Sequence, residues 1–382
     1  MTARDAVDPW LVLILAPGIG IRTFGQLLEA FGDPLGWLNQ PDRALREAGL
    51  SAAQIHGLRR PDPAAMQRCR DWLSAEHHHL ITLDDGFYPP LLKDIPDPPP
   101  ALFVAGDPEC LIHPQLAIVG SRNATPGGLA HARSFAASLA STGLVITSGL
   151  AAGVDGAAHA ACLDAGGRTI AVAGTGLDRV YPARHRALAH RIIEQGALVS
   201  SFPPGTEPKP GHFPVRNRII SGMSLGTLVV EAGLRSGSLI TARLAAEQGR
   251  EVFAIPGSVL NPLARGCHRL IRDGARLVET AAEVAAELRP LAGQLAHALA
   301  ELLDADQDAA LDPGAKAPHV GLDSEYQALL TAVGFDPTPF DEIIVRSQLT
   351  AAAVSSMLLM LELEGHVAAH PGGRYSRTHQ GS

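Results

Sequence analysis

The chain has 382 residues, 46% of them hydrophobic, and a formal net charge of −8 at pH 7, so it can form two or three domains with a full core. No apolar run reaches the roughly 18 residues of a membrane span, and the short run that begins at Trp10 follows aspartates where a signal peptide would have basic residues. Because the four cysteines are scattered, with no CxxC or Cys/His cluster, we expect a cytoplasmic protein with no disulfide and no metal site. We also expect no cofactor and no membrane partner.

Residues 1–80 predict a small helical domain of the SAM-like or helix-hairpin-helix-like kind. The run from Leu15 to Gly20, followed by Arg22 and Phe24, resembles a helix-hairpin-helix turn, which presents backbone N–H groups to a DNA phosphate. A short helical bundle with a glycine-rich turn explains the same residues equally well. The proline-rich stretch 94–100 predicts a stiff connector into the core.

Residues 81–289 alternate apolar, β-branched runs with alanine-rich helical stretches. This pattern predicts an α/β domain whose core is a Rossmann-like, doubly wound, mostly parallel sheet. Such sheets bind ligands outside the carboxyl ends of their strands, and small residues follow nearly every predicted strand. The predicted strands are 116–119, 144–147, 169–173, 197–201, 227–230 and 251–255.

Charge is distributed unevenly between these segments. Residues 101–289 carry 18 basic and 14 acidic side chains, a local excess of four positive charges in a chain that is acidic overall. The centre of the chain is therefore the only part that is able to attract a polyanion.

The C-terminal part predicts a linker and a second domain. Residues 290–320 combine an alanine-rich helix with an acidic, Pro/Gly-containing run, which is typical of a linker. Within 321–382, helices are predicted at 324–333, at 340–345 and from 349 to 363, followed by two strands with a tight turn, and this order is that of a winged-helix domain. Its three basic and seven acidic side chains are unfavourable for a DNA-reading helix.

The first motif with chemical meaning is Gly120-Ser121-Arg122, directly after the first core strand. It has neither the spaced glycines of a dinucleotide site nor the GK[ST] of a nucleoside-triphosphate loop. A glycine permits close backbone approach, the serine offers a hydroxyl, and Arg122 offers a bidentate fork for a phosphate. The alternative is that Arg122 pairs with a carboxylate of the core.

The second strand end carries Ser148 and Gly149, which lead into a helix containing Asp155 and His159. The last two residues are four apart and could share a helix face as an acid/base pair. The structural interpretation, which we favour, is a carboxylate at a helix start beside a structural histidine.

An aromatic residue and several cations follow the fourth strand. Phe213 precedes Arg216, Asn217 and Arg218, with Lys209 shortly before them. Single-strand binding requires a ring for base stacking and cations along the backbone, and this segment offers both. The alternative places Phe213 in the core and the arginines on a solvated face. Arg184 belongs to a further basic cluster, which is weaker evidence.

The fifth strand leads to Glu231 and then to Ser236 and Ser238. Serines and a glycine at a helix start form an anion-binding nest. Glu231 could be a catalytic acid or base, but no nucleophile accompanies it, so we expect it to order the neighbouring loops.

Taken together, these motifs resemble the DNA-processing protein A (DprA/Smf) family over about residues 115 to 280. The resemblance rests on six motif groups: 116–122, 148–159, 171–182, 213–220, 236–242 and 249–257. It implies a protein of natural transformation that binds incoming single-stranded DNA as a homodimer and helps load the RecA recombinase. It also implies DNA contacts at Gly120, Ser121, Arg122, Phe213, Arg216 and Arg218. The chain departs from the family pattern at Ser201, where a glutamate is usual, and at His185, where an asparagine is usual.

Two other classes compete with this interpretation. The core more distantly resembles the nucleotide phosphoribohydrolases of the lysine-decarboxylase-like superfamily, but residues 221–227 lack the double glycine of their motif. A transcription regulator that acts through the winged helix is the third class, and the acidic C-terminus disfavours it.

Overall fold

A computed structural model describes residues 3–32, 34–309, 324–334, 338–363, 366–370 and 374–377. Contacts divide the chain into two units, Met1–Asp304 and Ala305–Ser382. Among the described residues no helix has both the length and the apolarity to cross a membrane.

The first unit begins with six helices around an aromatic core. Trp10, Phe24 and Trp37 are buried there, with the Phe24 and Trp37 rings in edge contact at 5.1 Å. The turn between the first two helices contains Gly18 at a φ of 75°, and its carbonyl accepts a hydrogen bond from Nε2 of Gln54 at 2.6 Å. The helices are α1 (Ala3–Leu15), α2 (Ile21–Phe31), α3 (Pro34–Asn39), α4 (Asp42–Glu47), α5 (Ala52–Arg59) and α6 (Pro63–Leu73).

A nine-stranded sheet forms the centre of this unit. All six predicted core strands are present, as β3 to β8, which confirms the doubly wound α/β fold. Strands β3 to β9 are parallel to one another, whereas β2 is antiparallel to both of its neighbours, β1 and β6. The strands are β1 (His78–Thr82), β2 (Ala101–Gly106), β3 (Gln115–Val119), β4 (Val145–Ser148), β5 (Thr169–Val172), β6 (Ala197–Ser200), β7 (Gly226–Val229), β8 (Glu251–Ala254) and β9 (Arg276–Leu277).

Helices cover both faces of the sheet, which explains the near-continuous apolar sequence of its strands. Leu116 and Ile118 pack toward a layer formed by α8, α9 and α14, and Ala117 and Val119 pack toward α11, α12 and α13. These helices, with α7 and α10, are α7 (Pro90–Lys93), α8 (Pro126–Ala140), α9 (Val154–Asp164), α10 (Arg186–Gln195), α11 (His212–Met223), α12 (Ser238–Glu247), α13 (Arg265–Arg272) and α14 (Ala281–Ala309).

The strand order creates a switch point at the centre of the sheet. Across the sheet the order is β1-β2-β6-β5-β4-β3-β7-β8-β9. The chain winds outward from β3 to β6 on one side, and then returns to continue from β7 to β9 on the other. The loops after β3 and β7 therefore diverge above adjacent strands, which leaves a crevice where doubly wound proteins bind ligands.

The second unit has the predicted winged-helix elements. Three helices pack around buried residues that include Leu329, Ile343 and Val354, and three short strands pair in the order β10-β12-β11. The elements are α15 (Ser324–Val333), β10 (Thr338–Pro339), α16 (Phe340–Ser347), α17 (Ala351–Leu363), β11 (Val367–His370) and β12 (Arg374–Arg377).

The domain boundaries stay predictions. β1 begins at His78, just before the boundary proposed after residue 80, and α14 extends through the first part of the predicted linker as far as Ala309. Residues 310–320 of that linker lie outside the described residues, as does the turn 371–373 between the last two strands.

Candidate nucleic-acid interface

A pocket of about 580 Å³ opens at the switch point, and three loops contribute most of its polar lining, to which Asp155 of α9 adds a carboxylate. The first loop follows β3, the second enters α11, and the third connects β7 to α12. Most of the residues predicted to bind DNA line this one pocket. They are Gly120, Ser121, Arg122, Phe213, Arg216, Asn217, Ser236 and Ser238.

The loop after β3 is fixed by backbone hydrogen bonds. Ser121 N–H donates to the carbonyl of Glu231 at 2.7 Å, and the Ser121 carbonyl accepts from Val154 N–H at 3.2 Å. A β-carbon on Gly120 would lie 2.6 Å from a Val154 methyl group and 3.0 Å from the Glu231 carbonyl oxygen. Only glycine fits there, because the two neighbouring loops approach so closely.

Arg122 is exposed at the end of this loop. Within the part of the chain that the structure describes, it forms no ion pair with a carboxylate, so its guanidinium is not used by the core. Its Cζ lies 5.4 Å from the centroid of the Phe213 ring. The side chain therefore stands over an aromatic face with its charge available to a ligand.

Arg216 approaches the same ring from the protein interior. Its Cζ lies 5.9 Å from the Phe213 centroid, and only 4% of the residue is exposed. Nη1 donates to the Val172 carbonyl at 3.3 Å, while Nε has no partner among the described residues. Burial lowers the pKa of Arg216, and the nearby charge of Asp155 opposes that shift.

Asp155 lies in the first turn of α9, as the structural interpretation predicted. Its carboxylate accepts hydrogen bonds from the backbone N–H groups of Gly149 at 3.2 Å and Ala151 at 3.3 Å. Burial raises the pKa of Asp155, and the Arg216 charge lowers it again in part. The carboxylate is thus bonded to the loop after β4, and its charge interacts with that of the buried arginine.

His159 is a structural residue. The Thr169 hydroxyl donates to the Ile146 carbonyl at 2.5 Å, so it accepts from Nδ1–H of His159 at 2.7 Å. Burial lowers the pKa of His159 to about 3, and hence the ring is neutral at physiological pH. Because Asp155 and His159 bond to different groups, they do not form an acid/base pair.

The start of α12 forms the third side of the pocket. The Ser236 and Ser238 hydroxyl oxygens lie 2.7 Å apart in a hydrogen bond. Asn217 Nδ2 donates to the Gly237 carbonyl at 3.5 Å, which links this loop to α11. Because α12 begins at Ser238, the positive end of its helix dipole lies at the pocket.

Glu231 orders the loops beside the pocket. Its carboxylate accepts from Thr125 N–H at 2.9 Å and the Thr125 hydroxyl at 2.7 Å, at the start of α8. It also accepts from Nδ2 of Asn261 at 3.2 Å. This arrangement agrees with the predicted loop-ordering role.

The remaining predicted contacts lie elsewhere. Gly149 lines a smaller adjoining cavity, and Lys209 is exposed beside Pro210 at the pocket rim. The Ser148 hydroxyl is buried and donates to the Ile118 carbonyl at 2.6 Å. Arg218 is two residues beyond Arg216 on α11 and points toward the connector, with Nη1 3.8 Å from the Asp97 carboxylate. The structure brings neither Ser148 nor Arg218 into the pocket.

Two residues that were not predicted as contacts, Tyr181 and Arg184, line the adjoining cavity of about 130 Å³. They follow β5, more than 50 residues after Arg122 in the chain, and only the paired strands bring the two loops together. In the sequence, only their position after a strand end and the basic cluster around Arg184 could have indicated these two residues.

The two departures from the family pattern lie outside the main pocket. His185 bonds through Nδ1 to the Leu150 carbonyl at 2.9 Å, and Ser201 does not line either cavity.

The fold and the site define a class: an α/β protein with a cationic, ring-containing pocket at its switch point, joined to a winged-helix domain. A family model described as "DNA recombination-mediator protein A" matches residues 79–289, and one described as "DprA winged helix domain" matches residues 313–373. The chain belongs to the DprA/Smf family.

Curated relatives and solved structures agree with this assignment. Protein Smf of Escherichia coli K12 is 44% identical over 86% of this chain and 85% of its own length. DprA of Streptococcus pneumoniae R6 is 48% identical over 53% of this chain and 72% of its own. The crystal structure of DprA from S. pneumoniae matches with a TM-score of 0.66 and 37% identity, over 73% of this chain and 97% of that one.

A structure of DNA processing protein A from Helicobacter pylori, which concerns the single-stranded DNA binding mode of that protein, has a TM-score of 0.51 and 30% identity. The match covers 56% of this chain and 97% of the H. pylori chain.

Proposed function

We propose that this protein binds single-stranded DNA without base specificity, at the pocket between the loops after β3, before α11 and before α12. The observation that carries the proposal is the Phe213 ring beside two guanidinium groups, with its centroid 5.4 Å from Cζ of Arg122 and 5.9 Å from Cζ of Arg216. A ring stacks on any base, and an exposed arginine beside it meets the phosphate of the same nucleotide. The H. pylori structure, named for its single-stranded DNA binding mode, supports the same ligand.

The wider role follows from family membership. We propose that the protein acts in the cytoplasm during natural transformation, as a homodimer that protects incoming single strands and helps to load RecA. Relatives named DNA processing protein, at 46–48% identity in two bacterial species, support the first part of this role. RecA loading and dimerisation rest on the family resemblance alone.

The test is a salt-dependent titration that compares single-stranded with duplex DNA of matched length. We expect tighter binding to the single strand, with little dependence on base composition and a linear fall of log K with log salt. Equal or tighter binding to the duplex would overturn the proposal.

The proposal contains no catalytic step. Glu231, the carboxylate that a phosphoribohydrolase-like reaction would need, is already bonded to Thr125 and Asn261. Incubation with nucleoside monophosphates should therefore release no free base. Turnover that Glu231→Gln abolishes would favour the enzyme class instead.

A further inference from the structure

A second cavity adjoins the pocket and shares part of its wall. Arg122, Ala151, Phe213 and Arg216 line both. The smaller cavity, of about 130 Å³, is completed by glycines and alanines and by three residues of the loop after β5, Tyr181, Pro182 and Arg184. Gly149, Arg122, Phe213 and Arg216 in its wall are predicted DNA contacts, but neither the sequence motifs nor the comparisons assign a ligand to Tyr181 or Arg184.

The aromatic ring of Tyr181 is exposed beside this cavity. It is 48% exposed, and its ring centroid lies 5.9 Å from that of Phe213 at an interplanar angle of 46°. The two rings touch at a tilt, so that much of the Tyr181 surface stays open to solvent. An exposed ring beside a cavity is a natural stacking surface for a planar ligand.

The charges around this cavity favour a polyanion. Three arginines line it, and no acidic residue of the described chain does so. Arg216 has an unpartnered Nε, and Arg184 is exposed and forms no ion pair in the part of the chain that the structure describes. Gly149 leaves room for the Arg216 guanidinium, since a β-carbon there would overlap with Nη1, and Gly174 lies next to the Phe213 ring.

We infer that the smaller cavity is a second base subsite, in which Tyr181 stacks on the nucleotide next to the one held by Phe213. Arg122, which lines both cavities, is placed to meet the phosphate between these two nucleotides, and Arg184 the following phosphate. This inference rests on the proposed function and adds to it a direction for the strand, from the start of α12 past Phe213 to the loop after β5.

The inference is tested with abasic substitutions along the shortest oligo(dT) that binds the wild type with full affinity. In the wild type, loss of either of two adjacent bases should weaken binding roughly 5- to 150-fold, the usual range for one stacked base. In Tyr181→Ala, intact oligomer should bind more weakly by a similar factor, and one of the two abasic penalties should disappear. Tyr181→Phe should retain both penalties.

Matched controls separate the possible results. Phe87→Ala removes another ring, 37% exposed and outside both cavities, and should change nothing. Tyr181→Leu also lacks a planar ring and replaces the alanine variant if that variant unfolds. Absence of single-strand binding by the wild type would refute the proposed function itself. Normal wild-type binding with every abasic penalty unchanged in the Tyr181 variants would refute only the second subsite.

Discussion

Gly149 and Arg216 occupy complementary space at the bottom of the site. A β-carbon on Gly149 would overlap with Nη1 of Arg216 and would lie 2.8 Å from the Asp155 carboxylate. The guanidinium of Arg216 therefore packs directly against the backbone of the loop after β4, in the space that a side chain at Gly149 would fill. Arg216 in turn lies next to the Phe213 ring. The absence of a side chain at Gly149 therefore helps to fix the positions of Arg216 and of Phe213.

Gly149→Ala should displace Arg216 and weaken single-strand binding. If Arg216 donates a hydrogen bond to the bound strand, its displacement removes a bond that involves a charged group, for which a loss of about 1.5–3 kcal/mol is typical. Binding and thermal unfolding should be measured together, with Gly86→Ala as the control, since a β-carbon at Gly86 meets nothing within 4 Å. Unchanged affinity in a folded Gly149→Ala protein would show that Arg216 is irrelevant to the ligand.

Arg122→Ala should lower affinity for all base compositions alike. The guanidinium is exposed and unpaired with any described carboxylate, so its loss removes a phosphate contact and leaves the fold intact. The slope of log K against log salt should become shallower by about 0.7, the value for one phosphate of a single strand. The control is Arg43→Ala, an exposed arginine that pairs with Glu47 on α4. An unaltered slope and affinity would assign Arg122 a structural role.

Replacement of Phe213 separates stacking from packing. Tryptophan or tyrosine should retain binding, whereas alanine should weaken it by about 1–3 kcal/mol, the value of one stacked base. The ring is only half-buried, so the alanine variant should fold. If thermal unfolding shows that alanine destroys the fold, the ring belongs to the core and stacking is not its function.

Most of the central sheet could be predicted from the sequence, and the reasons are physical. Strands β3 to β7 are buried along their whole length, and β8 is buried at Phe253 and Ala254, so these strands appear as largely apolar runs. β1 contains His78 and His79 and is separated from its partner β2 by 18 residues, so no hairpin signal exists. β9 consists of two exposed residues and carries no periodicity at all.

The site was predictable only where position in the sheet decides it. Gly120 and Arg122 directly follow the end of β3, and such positions converge in a parallel sheet, whereas Phe213 lies in the first turn of α11, the helix that follows β6. Arg216 and Arg218 are two residues apart on one helix and so point in different directions, but the sequence does not show which of them faces the pocket. The role of Tyr181 depends on its distance from Phe213, which only the packed structure defines.

Buried His159 should make stability depend on pH. Its pKa is lowered to about 3 in the folded protein, against 6.5 as its ordinary value. As the pH falls below 6.5, His159 is therefore protonated in the unfolded chain but stays neutral in the folded chain. The free energy of unfolding decreases over this range. The slope should approach about 1.4 kcal/mol per pH unit.

Denaturant unfolding of wild type and His159→Gln at several pH values isolates this effect, because Asp155 and the other histidines titrate in both proteins. The stability advantage of the wild type should shrink as the pH is lowered from 6.5 toward 5. A difference that stays constant over this range would mean that His159 titrates normally in the folded state.

The winged-helix unit should contribute little to DNA affinity by itself. Residues 320–382 contain three basic and seven acidic side chains, and binding of DNA depends largely on neutralising phosphates. One of the three cations, Arg346, is already paired with Glu342 at 2.5 Å, and the other two, Arg374 and Arg377, lie on β12.

A chain truncated after residue 318 keeps α14, whose Val284 and Leu288 pack against the sheet, so its first unit should fold. It should bind single-stranded DNA with most of the affinity of the full chain and with the same dependence on salt, in the titration that tests the proposed function. Circular dichroism and the measured mass in solution establish that the truncated protein is folded and has the assembly state of the full chain. If it is intact by both measures and has nonetheless lost most of its affinity, the acidic unit takes part in gripping DNA, and the first unit alone does not account for binding.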